Sequence, residues 1–277
     1  MTSVIDAYAP SEPAPPVPPR PWTRSRIAGV LIMAFWIAAG AGLIFYLAAA
    51  WDSDKVARYG PRLFSGLQTT LALVGISVVA GAILSVPVAL GRLSKNPVFS
   101  RLAFGYVYLF RGTPLIAQLF LIYYGLGSFR PQLEAVGLWV FFRDAWNCAV
   151  FAFSLNTAAY QAEILRGAIE SVPTGQWEAA KALGLSRLQT FRKIILPQAL
   201  IVALRPYGNE LILMIKGSAI VALVTVLDLM GETRRAFSRT YDFQVYIWAA
   251  VFYFVIVEAL RNIWNALEAR LTRHLVR

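Results

Sequence analysis

Long uncharged stretches constrain this chain more than any other feature. Residues 27–50 read IAGVLIMAFWIAAGAGLIFYLAAA, without one charged side chain. About 20 such residues cross the hydrocarbon core of a bilayer as a helix, which satisfies every backbone N–H and C=O within the segment. Further apolar stretches lie near 64–91, 102–126, 146–169, 198–226 and 244–267. Composition agrees: 58% of residues are hydrophobic and only 15% charged, with a mean hydropathy of +0.57. The expectation is an all-α membrane protein with six transmembrane helices.

The net charge is +11, and in a membrane protein its placement matters more than its sum. With the N-terminus inside, the inner segments hold Arg20, Arg24, Arg26, Arg92, Lys95, Arg101, Arg166, Lys181, Arg187, Arg192, Lys193, Arg261, Arg270, Arg273 and Arg277. The outer loops hold Lys55, Arg58, Arg62, Arg130, Arg143, Arg234, Arg235 and Arg239. This bias predicts a multi-pass protein with both termini cytoplasmic, although the last outer loop is basic. Residues 1–26 include PSEPAPPVPPRP and read as a disordered, proline-rich cytoplasmic tail rather than a signal peptide.

Several chemistries are excluded. Cys148 is the only cysteine, so no internal disulfide is expected, and His274 is the only histidine, which argues against a metal site of the His/Cys kind. No GxxxxGK[ST] sequence occurs, so a nucleotide, if one drives this protein, binds on another subunit. No cofactor is expected.

Between the fourth and fifth spans lies a polar insert, EAAKALGLSRLQTFRKIILP at 178–197. Its chemistry predicts two short helices on the cytoplasmic side. One runs from Gln176 to Leu183 with Thr174 as cap, and Gly184 stops it by adopting positive φ. Ser186 and Gln189 have capping-box spacing for a second, which runs to Leu196, with Pro197 opening the next element. Trp177, Ala180, Ala182 and Leu183 give the first helix a small apolar surface. Such a helix either lies on lipid with Trp177 as anchor or docks into a cytoplasmic partner.

The spacing inside this insert resembles the EAA loop of ABC importer permeases: Glu178-Ala179-Ala180, three residues, Gly184, nine residues, then Ile194, Leu196 and Pro197. FRGTPLIAQL at 110–119, LNTAAYQAEILRGAI at 155–169 and NELILMIKGSAIVALVTVLDL at 209–229 resemble polar amino acid permeases, especially the branch for histidine, lysine, arginine, ornithine or opines. The resemblance covers about 62–275 and implies a permease domain there. It implies a five-helix type I importer core, to which 27–50 adds an N-terminal transmembrane helix. It also implies a coupling helix that inserts into a groove on a cytoplasmic ATP-binding subunit. Glu178, Ala179, Ala180, Gly184, Leu196 and Pro197 would mark that coupling loop. A sister permease or second copy, an extracytoplasmic substrate-binding protein and a location in the bacterial inner membrane follow from the same resemblance. Such a subunit is not an enzyme.

Polar residues inside the spans mark a pathway or hold helices together. Asn156, Tyr160 and Glu163 share one helical face, with Glu163 free to pair with Arg166. Arg205, Asn209 and Lys216 form a second stripe, with Glu210 beside it. Arg111-Gly112-Thr113-Pro114 breaks the third span, with Gln118 one turn on. The break is either a kink whose Arg bonds the freed carbonyls or a turn facing the substrate's carboxylate or amine. Ser218 and Thr225, seven apart, read as packing hydroxyls. The pathway candidates are Arg111, Gln118, Asn156, Tyr160, Asn209 and Lys216. Trp51, Tyr59, Trp139, Trp146, Tyr241 and Tyr246 read as an interfacial belt.

Three functions compete. The first is the permease subunit of an ATP-driven amino acid importer. The second is an ion-coupled secondary amino acid transporter using Glu163, Glu210 and Lys216, which predicts uptake by this chain alone. The third is a membrane scaffold whose loop recruits a cytoplasmic enzyme, which predicts a partner without flux.

Overall fold

A computed structural model describes residues 22–49 and 51–273. Most of the tail expected to be disordered, and His274, lie outside the described residues. The chain divides into two compact units, Met1–Asp52 and Ser53–Arg277. The described part of the first unit is one 26-residue helix, α1 (Arg24–Ala49), apolar on every face. At 1.5 Å per residue it is about 39 Å long.

The second unit is helical throughout its described residues, with no strand. Helix α2 (Ser53–Arg92) runs 40 residues. Helix α3 (Pro97–Gly112) starts where Asn96 accepts from the Val98 N–H and Pro97 fills the first turn, a position that needs no donor. It ends because Thr113 precedes Pro114 and takes extended backbone angles (φ −117°, ψ 147°), as a residue before proline must. Helix α4 (Leu115–Phe120) and a π turn at Leu121–Gly125 follow at 104° to α3. Short helices α5 (Arg130–Ala135) and α6 (Trp139–Phe142) lead to α7 (Ala145–Glu170). Asp144 caps α7 by accepting from the N–H groups of Trp146 and Asn147.

Helix α8 (Thr174–Ala182) begins two residues earlier than expected, and Thr174 lies inside it without a side-chain cap. Pro173 supplies the extended entry. Gly184 takes φ +74°, and the Ser186–Gln189 capping box forms in both directions. Helix α9 (Arg187–Thr190) passes through a π turn at Phe191–Ile195 directly into α10 (Leu196–Ser218). Pro197 therefore does not separate two elements. It sits in the first turn after the π turn, and the Gln198 side chain donates to the Ile194 carbonyl. Helix α10 tightens into a 3₁₀ segment at Ala219–Val224 and stops at Thr225, whose φ is +66°. Thr225 is thus off the helix, and its expected alignment with Ser218 does not exist. Helix α11 (Leu229–Thr240), capped by Asp228, and α12 (Gln244–Leu271) complete the unit.

Among the described residues, α1, α2, the continuous helix Arg187–Val224 and α12 are long and apolar enough to cross a bilayer, and the bent α3–α4 pair makes a fifth if counted as one span. The sixth expected crossing, α7, falls short in apolarity and not in length. It carries Asn147, Asn156, Gln161, Glu163 and Arg166. The reason is position: α7 packs against α2, α3, α4 and α10 at the centre, where side chains meet protein instead of lipid.

Packing there uses small residues. Ala149, Ala152, Ala158, Ala159 and Ala162 of α7 are fully buried. A Cβ on Gly81 of α2 would come within 2.4 Å of Thr157 Cγ2. Lipid tails are as apolar as a leucine, so close van der Waals contact drives such association. One core cluster joins Leu73, Leu119, Phe153 and Met214 around the first half of α7, and another joins Ala89, Leu165, Ile195 and Ala199 around its second half. Tyr59, expected in the interfacial belt, is instead 5% exposed and packs on Ala236 and Val245.

Candidate functional site

The break at 113–114 frees carbonyls that would otherwise bond within the helix. Gln118 repairs them: its Nε2 donates to the Phe110 carbonyl at 2.8 Å and to Thr113 O and Oγ1. Asn156 Nδ2 donates to Gln118 Oε1 at 2.9 Å and to the Phe110 carbonyl at 3.1 Å. The expected alternative, Arg111 bonding those carbonyls, is replaced by two amides. Gln118 is 8% exposed and is occupied in holding the turn, so it lies behind the cavity wall and not on it.

In front of this turn is a cavity of about 450 Å³, lined by Arg111, Gly112, Thr113, Pro114, Leu115, Asn156, Tyr160, Glu210, Leu213 and Met214. Three of the six pathway candidates meet here: Arg111, Asn156 and Tyr160. Helix α7 brings the last two together because residues four apart share a face. Arg111 lies over the Tyr160 ring at 5.1 Å, a favourable cation–π distance. Asn209 lines a different pocket, with Arg205, Trp264 and Glu268, and Lys216 lines neither.

Glu210 was missed as a pathway residue because it stands one position off the Arg205–Asn209–Lys216 stripe. One residue is about 100° of helix rotation, and that turns Glu210 into the bundle while the stripe stays exposed. Glu210 is 7% exposed and accepts from Thr157 Oγ1 at 3.1 Å. The stripe pairs outward instead, Arg205 Nε reaching Glu268 Oε1 at 2.5 Å. The cavity therefore presents a guanidinium and a carboxylate together with amide and phenol groups. Those groups suit a small molecule that carries both charges.

Glu163 lies farther along α7, and its carboxylate joins three helices. It accepts from Arg92 Nε of α2 at 2.9 Å and from Arg166 Nη2 at 2.8 Å, and Arg111 Nη1 of α3 stands 4.0 Å away. Arg166 also reaches Glu170. A carboxylate held by two guanidiniums satisfies its own lone pairs, and it also leaves Arg111 near both Glu163 and the cavity.

The loop at the far end of α7 has two faces. Ala180 is 1% exposed, and Trp177 packs against the core cluster that includes Ile195 and Ala199. Glu178, Ala179 and Gly184 are exposed, and Leu183 and Leu188 stand 78% and 64% exposed. The small apolar surface expected on α8 is thus split, Ala180 and Trp177 serving the fold and Leu183 facing outward. Leu196 is half-buried and Pro197 exposed. Among the described residues no cluster of His, Cys, Asp and Glu could hold a metal ion.

Comparison with known proteins places this geometry. Residues 77–274 match the model for the binding-protein-dependent transport system inner membrane component. The nopaline transport system permease protein NocM of Agrobacterium fabrum is 46% identical over 81% of this chain and 93% of its own length. The arginine ABC transporter permease protein ArtM of Escherichia coli is 38% identical over 76% and 95%. The histidine/lysine/arginine/ornithine permease protein HisM of the same species is 41% identical over 76% and 89%. A solved amino acid ABC transporter with histidines superposes with a TM-score of 0.70 at 35% identity, covering 80% of this chain and 99% of that one. A match covering most of the chain, with relatives this similar along nearly their whole length, establishes that the chain belongs to the family of binding-protein-dependent transport system inner membrane components.

Proposed function

We propose that this chain is the translocation subunit of an ATP-driven importer for polar amino acids, of the basic or opine type, in a bacterial inner membrane. The observation that carries the reading is the loop at 174–190. It holds EAA spacing, packs Trp177 against the bundle, buries Ala180, and turns Glu178, Ala179 and Leu183 outward. That is the form of a docking element for a rigid partner, and the ATP-binding subunit is that partner. The continuous helix from Arg187 into α10 then transmits its movement to the wall bearing Glu210. Alternation between outward-open and inward-open states follows as rigid-body motion.

Six crossings (α1, α2, α3 with α4, α7, α10 and α12) put both termini in the cytoplasm, and α8 with them. A substrate-binding protein delivers from the opposite side. The exposed polar stripe of Arg205, Asn209 and Lys216 cannot rest in hydrocarbon, and a sister permease or second copy covers it. Substrate passes through the cavity at Arg111, Tyr160 and Glu210, its carboxylate toward the guanidinium and its cationic end toward the carboxylate. An ion-coupled mechanism through Glu163 fits less well, because that group is committed to Arg92 and Arg166.

The test is a tagged pull-down from native membranes in mild detergent, read by mass spectrometry, with the wild type beside Gly184→Asp and Glu178→Lys. A nucleotide-binding subunit is expected with the wild type and lost from both variants. Purification of the chain alone, together with uptake by it alone that an uncoupler abolishes, would transfer the assignment to a secondary transporter.

A further inference from the structure

A second cavity, of about 500 Å³, lies at the N-terminal end of α7, opposite the loop at 174–190. Its walls include Thr69, Tyr123, Arg143, Asp144, Trp146 and Thr225. Ten residues of α7 separate Trp146 from Asn156, about 15 Å along the axis, so this cavity is distinct from the central one.

Its polar groups are not used up by the fold. Asp144 caps α7 through Oδ1 alone, which accepts both the Trp146 and Asn147 N–H groups. Those bonds fix the carboxylate in place and leave Oδ2 without a hydrogen bond among the described residues. The neighbouring Arg143 is exposed and makes no ion pair among the described residues. A fixed anion and an unpaired guanidinium therefore stand on consecutive residues at one rim. Tyr123 and Trp146 are half-buried and anchored in the core cluster, so their rings are firm walls. The lining also holds Thr225 at φ +66°, a conformation that a β-branched residue rarely adopts and that collects at functional sites.

We infer that this cavity is a reception site for a free, zwitterionic α-amino acid. The carboxylate binds the Arg143 guanidinium, the α-ammonium binds Asp144 Oδ2, and the side chain lies against Trp146 and Tyr123. A cationic side chain gains most from two aromatic walls. As a stage before the central cavity the site rests on the importer reading, but its existence does not.

The test uses the protein purified from native membranes with whatever partners accompany it, labelled with 5-fluorotryptophan. The Trp146 ¹⁹F resonance is assigned by its loss in Trp146→Phe. L-Arginine shifts this resonance saturably. Agmatine, which lacks the carboxylate, and N-acetyl-L-arginine, which lacks the α-ammonium, each need at least about tenfold more, since each forfeits a charge-assisted bond. Arg143→Gln raises the half-saturating L-arginine concentration at least about tenfold, while its thermal unfolding midpoint stays at the wild-type value because the Arg143 side chain makes no hydrogen bond or ion pair among the described residues. Absence of a saturable shift, or the same response in Arg143→Gln, overturns the site. Uptake by the same preparation reports separately on the importer reading. Transport without a Trp146 response removes this site alone, and a Trp146 response without transport keeps it and removes the importer.

Discussion

Gly81→Ala is a small change with a large expected cost. The new Cβ would stand 2.4 Å from Thr157 Cγ2, 3.1 Å from Gln161 Nε2 and 3.2 Å from the Ala158 nitrogen. The first contact is about 1 Å too short, and neither helix can yield easily, since Thr157 is fully buried. Rotating the Thr157 side chain would relieve the methyl but break its bond to Glu210 and lose the bond from Gln161 Nε2. Overpacking costs about 1–3 kcal/mol, and the two lost buried hydrogen bonds add about 1 kcal/mol each. The expected loss is therefore about 3–5 kcal/mol. Thr157→Ser supplies the control, because it removes Cγ2 and keeps the hydroxyl. In that background Gly81→Ala should cost at least about 1 kcal/mol less, a coupling measurable by a double-mutant cycle. The assay is reversible unfolding in mixed SDS micelles followed by helical circular dichroism. Equal costs in the two backgrounds would refute the argument that this methyl limits the α2–α7 approach.

Two glycines in the loop should respond with opposite signs. Gly175→Ala, in open space inside α8, should stabilise by about 0.5–1 kcal/mol, whereas Gly184→Ala, at φ +74°, should destabilise by about 1–2 kcal/mol. The same unfolding assay reads both. Glu163→Gln leaves Arg92 without its carboxylate and Arg166 with Glu170 alone, so it should destabilise the protein by about 1.5–3 kcal/mol and abolish uptake. Normal uptake and stability would remove Glu163 as the joint of three helices. The Lys55 ammonium, 2.7 Å from Asp242, holds that carboxyl below its ordinary range. Its contribution is present above the unfolded carboxylate pKa of about 3.9 and is lost as pH falls through the lower folded value. The pair is partly exposed, so the effect is at most about 1 kcal/mol, and Asp242→Asn should flatten the stability–pH curve below about pH 4.

Local chemistry was legible in the sequence wherever neighbours in the chain decide the outcome. The Ser186–Gln189 capping box, the positive φ of Gly184 and the break before Pro114 all follow from residues within four positions of each other. Apolarity marked the four helices, and the bent α3–α4 pair, that are long and apolar enough to cross a bilayer. The stretch at 146–169 becomes α7, yet its polar content reflects a place at the centre. The cavity was half legible. Asn156 and Tyr160 share a face by periodicity alone, but periodicity fixes only angles between residues on one helix. It does not say which direction points inward, so Asn209 was preferred to Glu210. Gln118 illustrates a different limit: an amide one turn past a break serves the break or the ligand equally well until its partners are seen.

The π turn at Phe191–Ile195 bears on how this chain tolerates insertion and deletion. A π turn accommodates one residue more than an α-helix would use over the same rise. Taking one residue out of 191–195 would leave an ordinary α-helix, with α9 and α10 still presenting the same sides to their neighbours. Taking one out of α10 would instead rotate everything beyond it by about 100° and carry Glu210 off the cavity wall. Lengths should therefore vary in descent at the first place and stay fixed at the second, although the two adjoin at Ile195 and Leu196.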